Sequence, residues 1–101
     1  MITYAMDYDR TYTMDPEGHD AMIALLKSRG HRVYIVTQRS GNGHDSVCLE
    51  NRKELAEATA NANCRVIFTE GAAKEWHMLR KEGIKVDIWI DDDLRSVSRG
   101  K

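Results

Sequence analysis

Acidic residues stand directly after two short apolar runs: Asp7 and Asp9 follow residues 2–6, and Asp91, Asp92 and Asp93 follow residues 86–90. A β-rich run that stops at a carboxylate reads as a buried strand carrying an acid to the C-terminal edge of a sheet, where open α/β sheets hold their ligands. Carboxylates crowded into one pocket repel one another, so such a pocket holds a hard cation, most often Mg²⁺ with oxygen ligands. That combination points to phosphate chemistry. An anionic nucleophile that meets a phosphate ester needs its charge offset, for which Mg²⁺ and a lysine are the natural devices. Asp7, first after the strand and least free to move, is the expected nucleophile. Asp9, two residues on in the turn, is placed to protonate a leaving oxygen and then to deprotonate an attacking water.

Elements able to position these groups alternate along the chain. A strand over residues 2–6 gives way to a turn, and Asp15, Pro16 and Glu17 then open a helix as N-cap, first helical residue and dipole partner. Met22, Ile23 and Leu26 form its apolar stripe and Gly30 ends it. A second strand over 33–36 stops at Thr37. Residues 40–44 form a loop, and a Glu-, Lys- and Ala-rich helix is expected over 49–62 with Leu55, Ala58, Thr59 and Ala62 inward. Residues 65–69 form a third strand, 74–82 a third helix closed by Gly83, and 86–90 a fourth strand. Met6, Met14, Met22 and Met78 read as packing residues. Strand–helix–strand units with right-handed crossovers give a parallel sheet covered by helices. With the first strand central, the second and third on one side and the fourth on the other, the order is 3-2-1-4 and Asp7 lies beside Asp91 at the topological switch point. The expected fold is α/β, a Rossmann-like three-layer sandwich with a short parallel sheet, in a single domain of 101 residues.

Asp7-Tyr8-Asp9-Arg10-Thr11 resembles the first motif of the haloacid dehalogenase superfamily of phosphohydrolases, Asp-x-Asp-x-Thr after an apolar strand. Thr37 closing the second strand, Lys74 opening the third helix and Asp91-Asp92 closing the fourth strand complete that family's ordered set of motifs, so the resemblance covers nearly the whole chain. It implies that Asp7 forms an aspartyl-phosphate, that Asp9 is the general acid and base with its backbone carbonyl on the metal, and that the Thr37 hydroxyl holds a phosphoryl oxygen. Asp7, Asp9, Asp91 and Asp92 would hold Mg²⁺. Three consecutive aspartates leave that register open by one; Asp91, first beyond Ile90, is favoured as direct ligand and Asp93 as N-cap for the segment from Leu94. Thr11 is expected to fix the turn.

Lys74 stands at a helix start, where the macrodipole disfavours a cation. An ammonium about 4 Å from a carboxylate or phosphoryl oxygen is worth about 4 kcal/mol at an effective dielectric near 20, enough to help hold Asp7 ionised. Tyr8 and Arg39 are the expected substrate contacts, Arg39 through a bidentate grip on phosphate; a solvated loop arginine is the alternative. His44, in the Gly-rich loop, is a further candidate.

Caps in this family are inserted after the first motif or before the third, and here residues 12–14 and the stretch around Gly71 are too short for one. The expected site is therefore open and capless; the resemblance implies a large substrate such as a nucleic-acid end or a phosphoprotein, with a phosphorylated nucleotide or nucleic-acid end favoured, or else a lid from a second subunit in a homodimer. The net charge of -1 gives no general pull toward nucleic acid or membrane, although the segment from Arg95 to Lys101, with Arg99, is basic. Cys48 and Cys64 form no disulfide framework, and His19, His31, His44 and His77 show no zinc-ligand spacing. No apolar run approaches the roughly 18 residues that span a bilayer, so a cytoplasmic protein without a membrane partner is expected. Two other classes stay open. A receiver-like signalling domain also gathers an acidic pair, a Thr and a Lys at strand ends, but its phospho-accepting Asp lies on a middle strand and its Lys comes last. A catalytically silent relative that binds phosphorylated ligands would keep the same motifs.

Overall fold

A computed structural model describes residues 1–98. The elements run β1 (Thr3–Met6), a 3-10 turn (Tyr12–Met14), α1 (Pro16–Ser28), β2 (Arg32–Thr37), α2 (Ser46–Ala58), β3 (Arg65–Phe68), α3 (Lys74–Arg80), β4 (Ile88–Ile90) and α4 (Arg95–Ser98). Every strand pair is parallel and the order is β3-β2-β1-β4. Met6 lies opposite Ile35 on one side and Ile90 on the other. Asp7 and Asp91 therefore leave neighbouring strands at the same level.

Side-chain alternation along the strands builds two cores. Tyr4, Met6, Val33, Ile35, Val66, Phe68 and Ile90 face one way, onto Ile23 of α1 and Leu55 of α2. Ala5, Tyr34, Val36, Ile67 and Trp89 face the other, onto Met78 of α3. The sheet is thus the middle of three layers, as the alternating pattern requires.

Local chemistry sets the element ends. Asp15 caps α1 by accepting a hydrogen bond from the Gly18 N–H, with Pro16 at the first helical position. Asp45 does the same for α2 through the Cys48 N–H at 2.9 Å, which starts that helix three residues before the position expected from composition. At its other end α2 stops at Ala58, where the Thr59 hydroxyl bonds back to Leu55 O at 2.6 Å, and Ala58 itself is exposed rather than inward. β4 is shorter than expected because the Asp87 carboxylate takes the Thr3 N–H at 2.9 Å in place of a ladder carbonyl. Met14, read as a packing residue, is 74% exposed. No helix among the described residues is long and apolar enough to cross a membrane. Arg99 and Lys101 lie outside the described residues.

Candidate active site

Asp7 continues the sheet by one hydrogen bond, its N–H donating to Ile90 O at 2.8 Å, and the chain then turns sharply. The turn returns on itself through Tyr12 N–H to Asp7 O and Thr13 N–H to Tyr8 O, both 3.1 Å, with Arg10 in the left-handed region at φ 63°. A non-glycine residue there costs about 1 kcal/mol, which the surrounding hydrogen bonds offset. The result keeps Asp7 and Asp9 at one end of the sheet. The Thr11 hydroxyl lies 3.5 Å from Asp7 Oδ2, consistent with its expected part in fixing the turn.

Lys74 reaches the same point from the opposite face. It opens α3 behind an Ala73 N-cap that makes no side-chain hydrogen bond. Its ammonium does not stay in solvent: Nζ donates to Asp7 Oδ1 at 2.7 Å and to Asp91 Oδ2 at 2.6 Å, and the side chain is 2% exposed. Asp91 is fixed further by the Asp93 N–H on Oδ1 at 2.9 Å and the Ser96 hydroxyl on Oδ2 at 3.3 Å. Asp92 is exposed and takes no N–H donor among the described residues. Sequence position favours Asp91 as the direct cation ligand; the geometry leaves Asp92 with the freer oxygens. Asp93 behaves as expected of a cap, accepting the Arg95 N–H at 3.0 Å.

Burial pushes the Asp7 carboxyl up to about 6, against the pull of Lys74, with Asp92 and Asp91 adding to the rise. One carboxylate oxygen from each of Asp7, Asp91 and Asp92 lies within 4.8 Å of the others. Oxygens about 2.1 Å from a common Mg²⁺ sit about 3 to 4 Å apart, so this spacing accommodates such an ion with little movement. Charge fits as well, since three carboxylates against one ammonium leave two negative charges. Asp9, expected among the metal ligands, has its carboxylate outside this group.

A cavity of about 300 Å³ opens over these groups, with Thr37, Gln38, Arg10 and Ser96 also on its walls. Thr37 is 1% exposed at the end of β2, and its Oγ1 accepts the Arg39 N–H at 3.3 Å, which leaves its own proton available to a ligand. A larger hollow of about 570 Å³ lies between α2 and β3, floored by Leu55, Val66 and Phe68 with Arg52 and Arg65 at its rim. It holds none of the acids and is not the candidate site.

No protein-family model, curated protein or solved structure matches this chain. Asp7, Asp9, Thr37, Lys74, Asp91 and Asp92, expected together from strand ends, all line the one cavity. Tyr8 does not. It is 3% exposed within the core, its ring 6.0 Å from that of Tyr12 and its hydroxyl donating to Glu54, because an odd step beyond Asp7 turns it to the α1–α2 side. His44 is exposed and is not on the cavity wall. Arg39 lines the cavity but grips protein: Nε and NH2 donate to the two Asp9 oxygens at 3.1 and 2.8 Å, and NH1 reaches Asn51 at 3.1 Å and Glu54 at 2.9 Å. Gln38 and Ser96 are cavity residues that the strand-end pattern missed; Gln38 adjoins Thr37 in sequence, but nothing local marks Ser96.

Proposed function

We propose that the chain is a capless Mg²⁺-dependent phosphatase of haloacid dehalogenase type, hydrolysing phosphate monoesters of nucleotides or polynucleotide ends through an aspartyl-phosphate on Asp7. The observation that carries this reading is the buried Lys74 ammonium bridging Asp7 and Asp91, with Asp92 close by. A structural ion pair would need one carboxylate; here three meet at a strand edge under a cavity. The strand order β3-β2-β1-β4 also differs from the 2-1-3-4-5 order of receiver folds, which weighs against the signalling alternative.

In this reading the Asp7 carboxylate attacks phosphorus. Its Oδ1 is fixed by Lys74, while Oδ2 has only the long contact from Thr11. The phosphorus–oxygen bond to the alcohol breaks, and Asp9, which enters this step protonated, delivers its proton to the departing oxygen and is left as the carboxylate. Thr37 and Lys74 hold phosphoryl oxygens. Asp9 then takes a proton from water as it attacks the phosphoryl group, releasing inorganic phosphate and restoring Asp7. Asp7, Asp91 and Asp92, with the Asp9 carbonyl, would hold Mg²⁺, which supplies charge neutralisation where the two anions meet.

Breadth of substrate follows from what does not cover the cavity. Only residues 7–15 join β1 to α1 and only 69–73 join β3 to α3, so no cap is inserted at either place. Arg10 stands exposed on the wall, within reach of a second phosphate or a backbone. Hydrolysis of mononucleotides, 5′- and 3′-phosphorylated oligonucleotides and simple sugar phosphates, each with Mg²⁺ and with excess chelator, tests the assignment. Mg²⁺-dependent phosphate release from nucleotide substrates supports it, and inactivity toward every ester sinks it.

A further inference from the structure

Arg39 is a poor candidate for the first contact with a phosphate. Four of its five N–H donors' worth of reach is spent on Asp9, Asn51 and Glu54, and two carboxylates already face its one charge. Its guanidinium also lies over the Tyr8 ring, 5.2 Å from the centroid. These partners come from two places: Tyr8 and Asp9 from the turn after β1, Asn51 and Glu54 from α2. The pairing raises the Arg39 guanidinium further, with Asp9 the leading cause and Glu54 next.

The arrangement is not explained as a stabilising ion pair, because the Asp9 side chain is 52% exposed and pairs of that kind add little to folding. What it does is mechanical. Asp9 sits in a turn with a left-handed residue immediately after it, where a carboxylate on a rotatable side chain would sample several rotamers. A planar fork holding both of its oxygens fixes the plane of the carboxyl group, and α2 and the Tyr8 ring fix the fork.

We infer that Arg39 is the positioning residue for Asp9, held to α2 by Asn51 and Glu54, and that it acts on the proton transfers rather than on substrate binding. This rests on the phosphatase reading, in which Asp9 is the acid and base. The consequence is selective. Losing the orientation of a general acid hurts most where the leaving oxygen most needs a proton.

The experiment measures kcat and KM with Mg²⁺ on p-nitrophenyl phosphate, whose leaving group departs readily, and on glycerol phosphate, whose leaving group does not. Arg39→Ala lowers kcat on both, with a loss at least about tenfold larger on glycerol phosphate, a fraction of what a general acid supplies. KM moves by less than about threefold on either, since uniform binding is untouched. Arg39→Lys keeps the charge but cannot hold two oxygens, and it does not restore kcat. Glu54→Ala, which loosens the bracket without removing the fork, shifts the same ratio in the same direction, and circular dichroism confirms that each variant is folded. In an Asp9→Ala background, Arg39→Ala adds no more than about a twofold loss, because residues that act as one unit are not additive. A raised KM with kcat intact, equal losses on the two esters, or full multiplication in the double variant overturns the inference. Wild-type protein inert on these two esters and on the nucleotide and oligonucleotide substrates alike overturns the phosphatase reading itself and this inference with it.

Discussion

The Lys74 ammonium lies 2.7 Å from the Asp7 carboxylate, 67 positions earlier in the chain, and the two side chains are only 2% and 10% exposed. The same ammonium holds Asp91, so one cation separates acids carried by β1 and β4. Removing it leaves buried negative charge without a partner, a change that costs about 3–5 kcal/mol. Lys74→Ala should therefore show a lowered denaturation midpoint in chelator and a reduced kcat with Mg²⁺. Lys81→Ala, at an exposed site 5.7 Å from the Trp76 ring, should change neither. Equal effects at the two lysines would remove Lys74 from the site.

Asp7 gives the site its pH dependence. Its carboxyl, raised to about 6 in the folded protein from 3.8, favours the protonated form on folding. That contribution to stability is complete below about pH 4 and is lost as pH rises through about 6. Asp7→Asn, which mimics the protonated group, should accordingly melt higher than the wild type in chelator at pH 7.5, by about 1–3 kcal/mol, with the difference fading toward pH 4. Mg²⁺ binding must expel the same proton, so calorimetry should find its Kd rising about tenfold per unit as pH falls below 6. A Kd flat from pH 7.5 to 5 would exclude Asp7 as a ligand.

Asp9 is tested by its neutral isostere. Asp9→Asn can neither give nor take the proton, and kcat should drop by roughly 10²- to 10⁴-fold, the usual span for a general acid and base. Steady-state rates within threefold of wild type would place the acid elsewhere.

Most of the fold was legible because each signal was local. Alternating apolar residues fixed the two faces of β1, β2 and β3, and Asp15-Pro16 fixed the start of α1. The acids, Thr37 and Lys74 were legible for the same reason, since a residue just past a buried strand or at a helix start has its position set by that element. Arg39 was harder to read. Its partners Asn51 and Glu54 lie 12 and 15 positions away on α2, and no local pattern says which groups a loop arginine will meet. Tyr8, expected as a substrate contact, lies in the core instead because it keeps the alternation of β1, two residues past Met6 on the same face, where adjacency to Asp7 and Asp9 had suggested the site; the left-handed Arg10 that shapes this turn has no glycine to mark it. Of the cations that follow the ends of β2 and β4 in sequence, Arg39 is paired with Asp9, and Arg95 is paired with Asp93 at 3.1 Å in solvent.

That pairing sharpens the expectation for polyanionic substrates. With Arg39 engaged and Lys74 held by Asp7 and Asp91, Arg10 is the cavity-wall cation left, among the described residues, to meet a nucleic-acid backbone. Salt should weaken kcat/KM for a 5′-phosphorylated oligonucleotide with a slope near that of a single released counterion, about 0.7–0.9 per contact, and Arg10→Ala should flatten it. A steep slope unchanged by Arg10→Ala would locate the backbone contacts elsewhere.

The central claim is that Asp7 itself carries the phosphoryl group. Mg²⁺-loaded protein mixed with substrate and quenched in acid within milliseconds should yield, by fragment mass spectrometry, a phosphoryl group on Asp7. Asp7→Asn should carry none and should release no phosphate. A phosphoryl group on any other residue, or turnover by Asp7→Asn near the wild-type rate, would contradict the account.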